Sequence, residues 1–432
     1  MLGWLGIARL GLVQLALGSV VVLTTATMNR VMVVELAMPA ILPGLLVSLY
    51  YGTQFLRPRF GHGADRGGRR TPWIIGGVAL LAAGAIGAAL SVGVMERLAW
   101  AGIAAAVPSF ILIGLGIGAA GTNLLALLAI RVSPERQAPA GSLVWIMMIF
   151  GLAATGITAG ILLDPYSHAR LVAVTVGVCC VAITLSVLGV LGQEREQVTP
   201  KPREATPFRD VIRELWTDKR VRAFTVFVFA SMLAYNLQDL ILEPFAGHVF
   251  GLTVGESTQL GGMHHAGALV GMLAVLMGGT VLARWITVPV RVWVVGGCVL
   301  SGLALLGLAY GGQHAATWPL AGNIFVLGLA NGAFAVAAIG AMMGLAREGG
   351  DGSEGLRMGL FGAAQAIAFG LGSFIGTAMV DVMRALTPHD AVAYGSVFAF
   401  EGLVFLIAAL LALRLTSPNA ATTRSTAMMP GE

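Results

Sequence analysis

Gly61-His62-Gly63-Ala64-Asp65-Arg66-Gly67-Gly68-Arg69-Arg70 is a polar, arginine-dense loop set between two apolar runs. It reads G-x-x-x-D-R-x-G-R-R. A stretch with this much charge cannot lie in hydrocarbon, so it marks a turn on one face of a membrane. The rest of the chain agrees. Only 11% of its 432 residues are charged, 57% are hydrophobic, and the mean hydropathy is +0.85. Soluble domains carry about 25% charged residues, and a soluble chain this poor in charge could not cover its own surface. Strand alternation of the barrel type is absent, so the expected class is all-α, with each helix satisfying its own backbone in lipid.

Twelve apolar spans of near bilayer length are expected at roughly 10–30, 37–57, 72–94, 103–130, 139–163, 170–191, 223–246, 257–282, 288–310, 317–345, 356–382 and 392–414. The first follows Met1 and Arg9 directly and reads as a span, not a signal segment. One long polar segment, 192–222, interrupts the series. Its Pro200, Pro202 and Pro207 suit an extended linker, and its 208–216 stretch, FRDVIRELW, suits a short amphipathic helix on the membrane surface. The expected division is 1–191, a six-helix half; 192–222, the linker; 223–414, a second half; and 415–432, a tail. Of the 26 Lys and Arg residues, 22 fall on the side of the termini, and four (Arg30, Arg97, Arg170, Arg384) on the other. That asymmetry places both termini in the cytoplasm. The net charge of +5 therefore reads as topology, and no nucleic-acid partner is expected.

The loop resembles the motif between the second and third helices of the major facilitator superfamily, with all six positions present: Gly61, Asp65, Arg66, Gly68, Arg69 and Arg70. The resemblance implies two pseudosymmetric six-helix halves and a loop network that stabilises one state. Asp65 could cap a helix or pair with an arginine, and the arginines could latch carboxylates or serve only as topology anchors. The matching stretch of the second half, Gly278 to Arg284, lacks the acid and the arginine pair.

Longer strings narrow the match. They are Asn29-Arg30-Val31-Met32-Val33-Val34-Glu35-Leu36, Arg57-Pro58-Arg59-Phe60 leading into the loop, Arg70-Thr71-Pro72-Trp73, Glu243-Pro244-Phe245-Ala246-Gly247, Val249-Phe250-Gly251 and Ser257-Thr258-Gln259-Leu260. Together they resemble the PucC, or bacteriochlorophyll delivery, family of phototrophic bacteria. The resemblance implies a carrier or assembly factor in the inner or intracytoplasmic photosynthetic membrane. Its cargo would be bacteriochlorophyll or a late precursor. Its partners would be bacteriochlorophyll-synthesis enzymes and antenna or reaction-centre apoproteins.

Such a carrier needs an apolar cleft and an axial ligand for Mg²⁺. Of seven histidines, only His264 and His265 sit inside a span, among glycines that leave room beside them. Either could ligate pigment or make an interhelical hydrogen bond. Tyr50, Gln54, Asn123, Asn331 and Gln365 are candidate cavity-lining residues, or interhelical glue. Asn236, Gln238, Asp239 and Glu243 form a polar cluster in span seven. Asp239 and Glu243, four apart, share one helix face, and Pro244 marks the helix end. The pair could relay protons or form an interfacial cluster. Asn29, Arg30 and Glu35 are the matching cluster of the first half, with Arg30 a partner for Glu35 or Glu243. No catalytic or metal constellation is visible: there is no phosphate-binding loop with its lysine, and Gly114-x-Gly116-x-Gly118 lies in an apolar span, where it reads as packing. Two other readings stay open, a proton-coupled transporter of a small solute and a pigment-free assembly chaperone.

Overall fold

A computed structural model of the chain describes residues 2–57, 59–60, 69–194, 219–279, 288–347 and 354–415. Every regular element among them is helical. In chain order they are α1 (Trp4–Glu35), α2 (Ile41–Leu56), α3 (Thr71–Arg97), α4 (Ala99–Arg131), α5 (Pro134–Leu163), α6 (His168–Val190), α7 (Val221–Phe250), α8 (Val254–Gly279), α9 (Val290–Gly312), α10 (Leu320–Arg347), α11 (Glu354–Leu386) and α12 (Asp390–Leu415). Eleven are long and apolar enough to cross a membrane, and α2 is a shorter apolar helix. Loop residues Gly61, Asp65, Arg66 and Gly68, most of the linker with its expected surface helix, and the tail from 416 lie outside the described residues.

Most expected spans match to within a few residues. The first does not: α1 runs from Trp4 to Glu35, well past Arg30. Two π-helical segments, Leu23–Thr27 and Val31–Glu35, flank the turn Met28–Arg30. A π turn brings residues five apart into register, so Arg30 meets Glu35 on its own helix and its charge does not end the span. The hydroxyls of Thr24 and Thr25 also bond back to carbonyls of Val20 and Val21 one turn earlier, a pattern that loosens a helix.

Each half buries its own apolar core, one built mainly from α1–α6 and one mainly from α7–α12. The halves meet along two helix pairs, α2 on α11 and α5 on α8. Advancing each helix by six turns one pair into the other, which is the signature of parallel repeats related by a pseudo-twofold axis. Glycines set the close approaches. Gly116 packs against the backbone of Gly77 and Leu81, Gly156 against Gly262, and Gly332 against the Ala268 carbonyl. A methyl group at any of these would strike backbone. Cys179, Cys180 and Cys298 are free thiols, the first and last buried.

Candidate functional site

The polar residues of both halves converge where α1 bends and α7 breaks. The helix of α7 stops after Leu237, turns through 238–241, and resumes as Leu242–Phe250. Pro244 sits in the first turn of the resumed helix, where its missing N–H costs nothing. The expectation that Pro244 ends the helix is therefore corrected: it restarts one. Because Pro244 cannot donate to the carbonyl four residues back, the Leu240 carbonyl is free, and Asn29 Nδ2 of α1 donates to it. The turn also means that Asp239 and Glu243 do not share a continuous helical face, as their spacing suggested.

Arg30 is 2% exposed. It pairs with Glu35 at 2.7 Å, donates to the Leu252 carbonyl at 2.8 Å, and lies over Gly247, where a larger residue would collide with the guanidinium. Glu243 is 2% exposed, packs against Gly261 of α8, and lies within electrostatic reach of Arg30 and Asp239. Neither of its carboxylate oxygens accepts a hydrogen bond from a described residue. Gln238 Oε1 and Asn29 Oδ1 likewise accept none, and Gln238 Nε2 donates to no described residue.

Carboxylates close the same end of the bundle, opposite the chain termini. Asp381 near the end of α11 accepts from the backbone N–H of Ala40 and of Ile41 at 2.9 and 2.7 Å. Asp164 after α5 accepts from the Thr253 hydroxyl ahead of α8 at 2.9 Å. The two contacts are pseudosymmetric, each joining the end of one interface helix to the start of its partner.

Deeper between the halves stands an aromatic wall. Tyr50 and Tyr51 of α2 have ring centroids 4.5 Å apart, Tyr51 and Phe369 of α11 5.8 Å, and Phe369 stacks on Tyr235 of α7 at 6.1 Å. Asp239 reaches all three tyrosines electrostatically. Asn236 braces the wall by donating to the Phe369 carbonyl and the Ser373 hydroxyl, both at 2.6 Å.

The histidine pair divides. His264 is 6% exposed and meets Asn331 of α10 through Nε2 at 3.3 Å, while Asn331 accepts from the Ser301 hydroxyl of α9 at 2.8 Å. His265 is half-buried, and among the described residues it makes no hydrogen bond and its enclosed Nδ1 has no partner. It follows Thr258 and Gly261 on the stripe that meets Thr27 of α1 and Glu243 of α7. The expected room beside the pair is taken, however. Gly262 is filled by Ile157 and Gly267 by the Phe325 carbonyl, because these glycines admit neighbouring helices.

The other candidates are dispersed. Gln54 donates to the Gly114 carbonyl of α4 at 3.2 Å and accepts from Arg57 at 2.6 Å. Gln365 lies 3.7 Å from the Met232 sulfur. Asn123 serves the loop, accepting from Arg70 at 3.3 Å. Arg69 is exposed, whereas Arg70 is 7% exposed and held within the first half. There the backbone N–H groups of Arg70 and Thr71 both donate to Glu194, at the start of the linker. Partial burial opposes ionisation of Glu194, but hydrogen bonds from Thr71 and the Arg70 backbone, with the Arg70 charge, hold its carboxyl below the usual value of 4.5. Glu194 therefore contributes its stability above the unfolded value and loses it as pH falls through the lower folded one. Thermal midpoints of wild type and Glu194→Gln should differ at neutral pH and converge on acidification.

Sequence reasoning missed Asp164, Asp381, Tyr51, Tyr235, Phe369, Glu194 and Glu401. Two carried a visible signal. Asp381 is a lone acid in a long apolar run, and Glu401 is 0% exposed, the only charged residue between 391 and 413.

Comparison with known proteins places this geometry. The model of the family described as "PUCC protein" matches residues 27–420. The "Bacteriochlorophyll synthase 44.5 kDa chain" of Rhodobacter capsulatus is 49% identical over the full length of both chains. "Protein PucC" of Cereibacter sphaeroides is 30% identical, with 96% of this chain and 92% of that one covered. Among solved structures, a bacterial homologue of the lysosomal transporter Spinster superposes with a TM-score of 0.71 at 14% identity, covering 95% of this chain and 96% of that one. At that identity the likeness speaks for the fold, which is that of the major facilitator transporters. This multi-span membrane chain therefore belongs to the PUCC protein family and has the major facilitator fold.

Proposed function

We propose that the chain binds bacteriochlorophyll or a late precursor and hands it to light-harvesting or reaction-centre apoproteins. It would do so within the bacterial inner or intracytoplasmic membrane, with both termini in the cytoplasm, after receiving pigment from the synthesis enzymes. It acts as a carrier, not a synthase. The observation that carries this reading is the wall of Tyr50, Tyr51, Tyr235 and Phe369 between the halves. A run of ring faces suits a flat conjugated macrocycle, since aromatic contacts add about 0.5–1.5 kcal/mol each beyond area burial. The tyrosine hydroxyls can donate to carbonyls on the ring edge. Of the two histidines, His265 is the candidate axial ligand, because it has no hydrogen bond among the described residues, whereas His264 is engaged by Asn331. A poorly soluble, photoreactive pigment gains from such sheltered lateral transfer, with no need to cross the bilayer.

The experiment is purification in mild detergent from a phototrophic host, with an absorption spectrum and chromatographic pigment assay. Near-stoichiometric bacteriochlorin above the background of a control membrane protein is expected. Replacing His265 by Ala should lower occupancy by about tenfold or more, the scale on which lost metal-site contacts act, while His264→Ala should mainly lower stability. A folded, colourless protein would favour the pigment-free chaperone or the solute transporter, and full occupancy in both variants would remove histidine ligation.

A further inference from the structure

We propose that the break in α7 is a binding site for a monovalent cation, a proton or a sodium ion held at Glu243 beside the amide oxygens of Asn29 and Gln238. This goes beyond the pigment reading and does not rest on it.

The first observation is the set of unbonded polar atoms. Glu243, Gln238 and Asn29 are each 2% exposed or less, and all carry side-chain oxygens that accept no hydrogen bond from a described residue. Asn29 is aimed at the break, since its amide nitrogen donates to Leu240. Buried polar groups are nearly always partnered, and an isolated buried carboxylate is among the costliest exceptions. Several on one helix break call for a ligand.

The second observation is charge. Arg30 from α1 is committed to Glu35 and the Leu252 carbonyl. Asp239 on α7 adds a second acid within reach of Glu243. Among the described residues, the other packed elements supply no spare cation. From α8 the contact is Gly261, with His265 a turn beyond. From α12, Tyr394 is bonded to His248 of α7, and Asp390 is paired with Arg384 of α11. A charged Glu243 would leave the group net negative in the membrane interior. One monovalent cation offsets the charge of Glu243 itself, either as a proton on the carboxyl or as a sodium ion among hard oxygen donors. Interrupted helices at a half-interface are where membrane carriers place such ions.

The site draws Asn29 from one half and Gln238 and Glu243 from the other. Its occupancy therefore biases how the halves meet, which is the requirement for coupling movement of a cargo to an ion gradient.

The test measures the thermal midpoint of the purified full chain in detergent, in sodium chloride against N-methylglucamine chloride at equal ionic strength, across pH. If sodium is the ligand, the midpoint rises with the logarithm of its concentration, and the rise is lost in Glu243→Gln and weakened in Asn29→Ala. If the ligand is a proton, sodium has no effect. Wild-type stability then falls as pH rises, by up to about tenfold in the folding constant per pH unit for one proton, and Glu243→Gln lacks that component. If wild type is blind to sodium and shares the pH dependence of Glu243→Gln, the atoms are met by water alone and the proposal is overturned. Should Glu243→Gln fail to fold, infrared difference spectra of the wild type decide. A carboxylic-acid carbonyl band that responds to sodium or pH supports the site, and no response overturns it.

Discussion

Replacing Arg30 by Met is expected to destabilise the protein by roughly 3 kcal/mol, the low end of the 3–5 kcal/mol range for breaking a buried ion pair. Methionine keeps much of the volume of the arginine stem and removes the charge and the donors. The loss falls unevenly on what Arg30 touches. Glu35 is 39% exposed and recovers water, which is why the low end applies. The Leu252 carbonyl loses its donor at the half-interface, and Glu243, 2% exposed, loses the nearest positive charge. Arg30→Lys should fall between, because an ammonium cannot bond the carboxylate and the carbonyl in the planar fork of a guanidinium. Thermal midpoints in detergent check the order. A double-mutant cycle with Glu35→Gln separates the ion pair from the rest, and if Arg30→Met lies within about 0.5 kcal/mol of wild type, as ordinary surface changes do, the pair holds nothing together.

The spans were legible because hydrocarbon imposes a length and a polarity on every helix. The places where that reading failed have specific causes. Arg30 looks like a helix end until the π turn supplies Glu35 as its partner. Pro244 looks like a stop, yet a proline in a first turn is a start. The polar clusters of spans one and seven were visible as residues, and Arg30 with Glu35 was an anticipated pair. Much of what joins the halves was not visible, because it runs through backbone groups: the carbonyls of Leu240 and Leu252 and the amides of Ala40 and Ile41. Backbone atoms carry no sequence signature. The aromatic wall was hidden for another reason. Tyr51, Tyr235 and Phe369 come from three helices and share no periodicity, so only the packing of α2 on α11 brings them together. The glycines around His264 and His265 announced close approach but not its direction, and the space they create belongs to α5 and α10.

Removing both interface carboxylates, Asp164→Ala with Asp381→Ala, is expected to release the end of the bundle opposite the termini. Asp381 satisfies two backbone N–H groups at the start of α2. Those donors belong to the first turn of a helix and have no partner within it. Asp164 holds the Thr253 hydroxyl. Thr253 and Glu256 cap the start of α8 reciprocally, with backbone bonds of 2.9 and 3.1 Å, so this contact ties α5 to the capped end of α8. Hydrogen bonds to a charged group contribute about 1.5–3 kcal/mol each. Some of that returns through hydration once the end opens, so a combined shift near 4 kcal/mol is the working figure, or roughly a thousandfold in the ratio of closed to open forms. The readout is the distance between spin labels at Leu98 and Leu386, exposed residues at that end of the two halves. The double variant should show a longer, broader distribution, each single variant an intermediate one, and the Asn versions a smaller change because an amide oxygen can still accept. An unaltered distribution in the double variant would assign closure to helix packing along α2 on α11 and α5 on α8. The carboxylates would then be helix caps that happen to cross the interface. The singles distinguish cooperation from redundancy: two independent latches multiply their effects on the open fraction, whereas redundant ones leave each single variant closed and only the pair open.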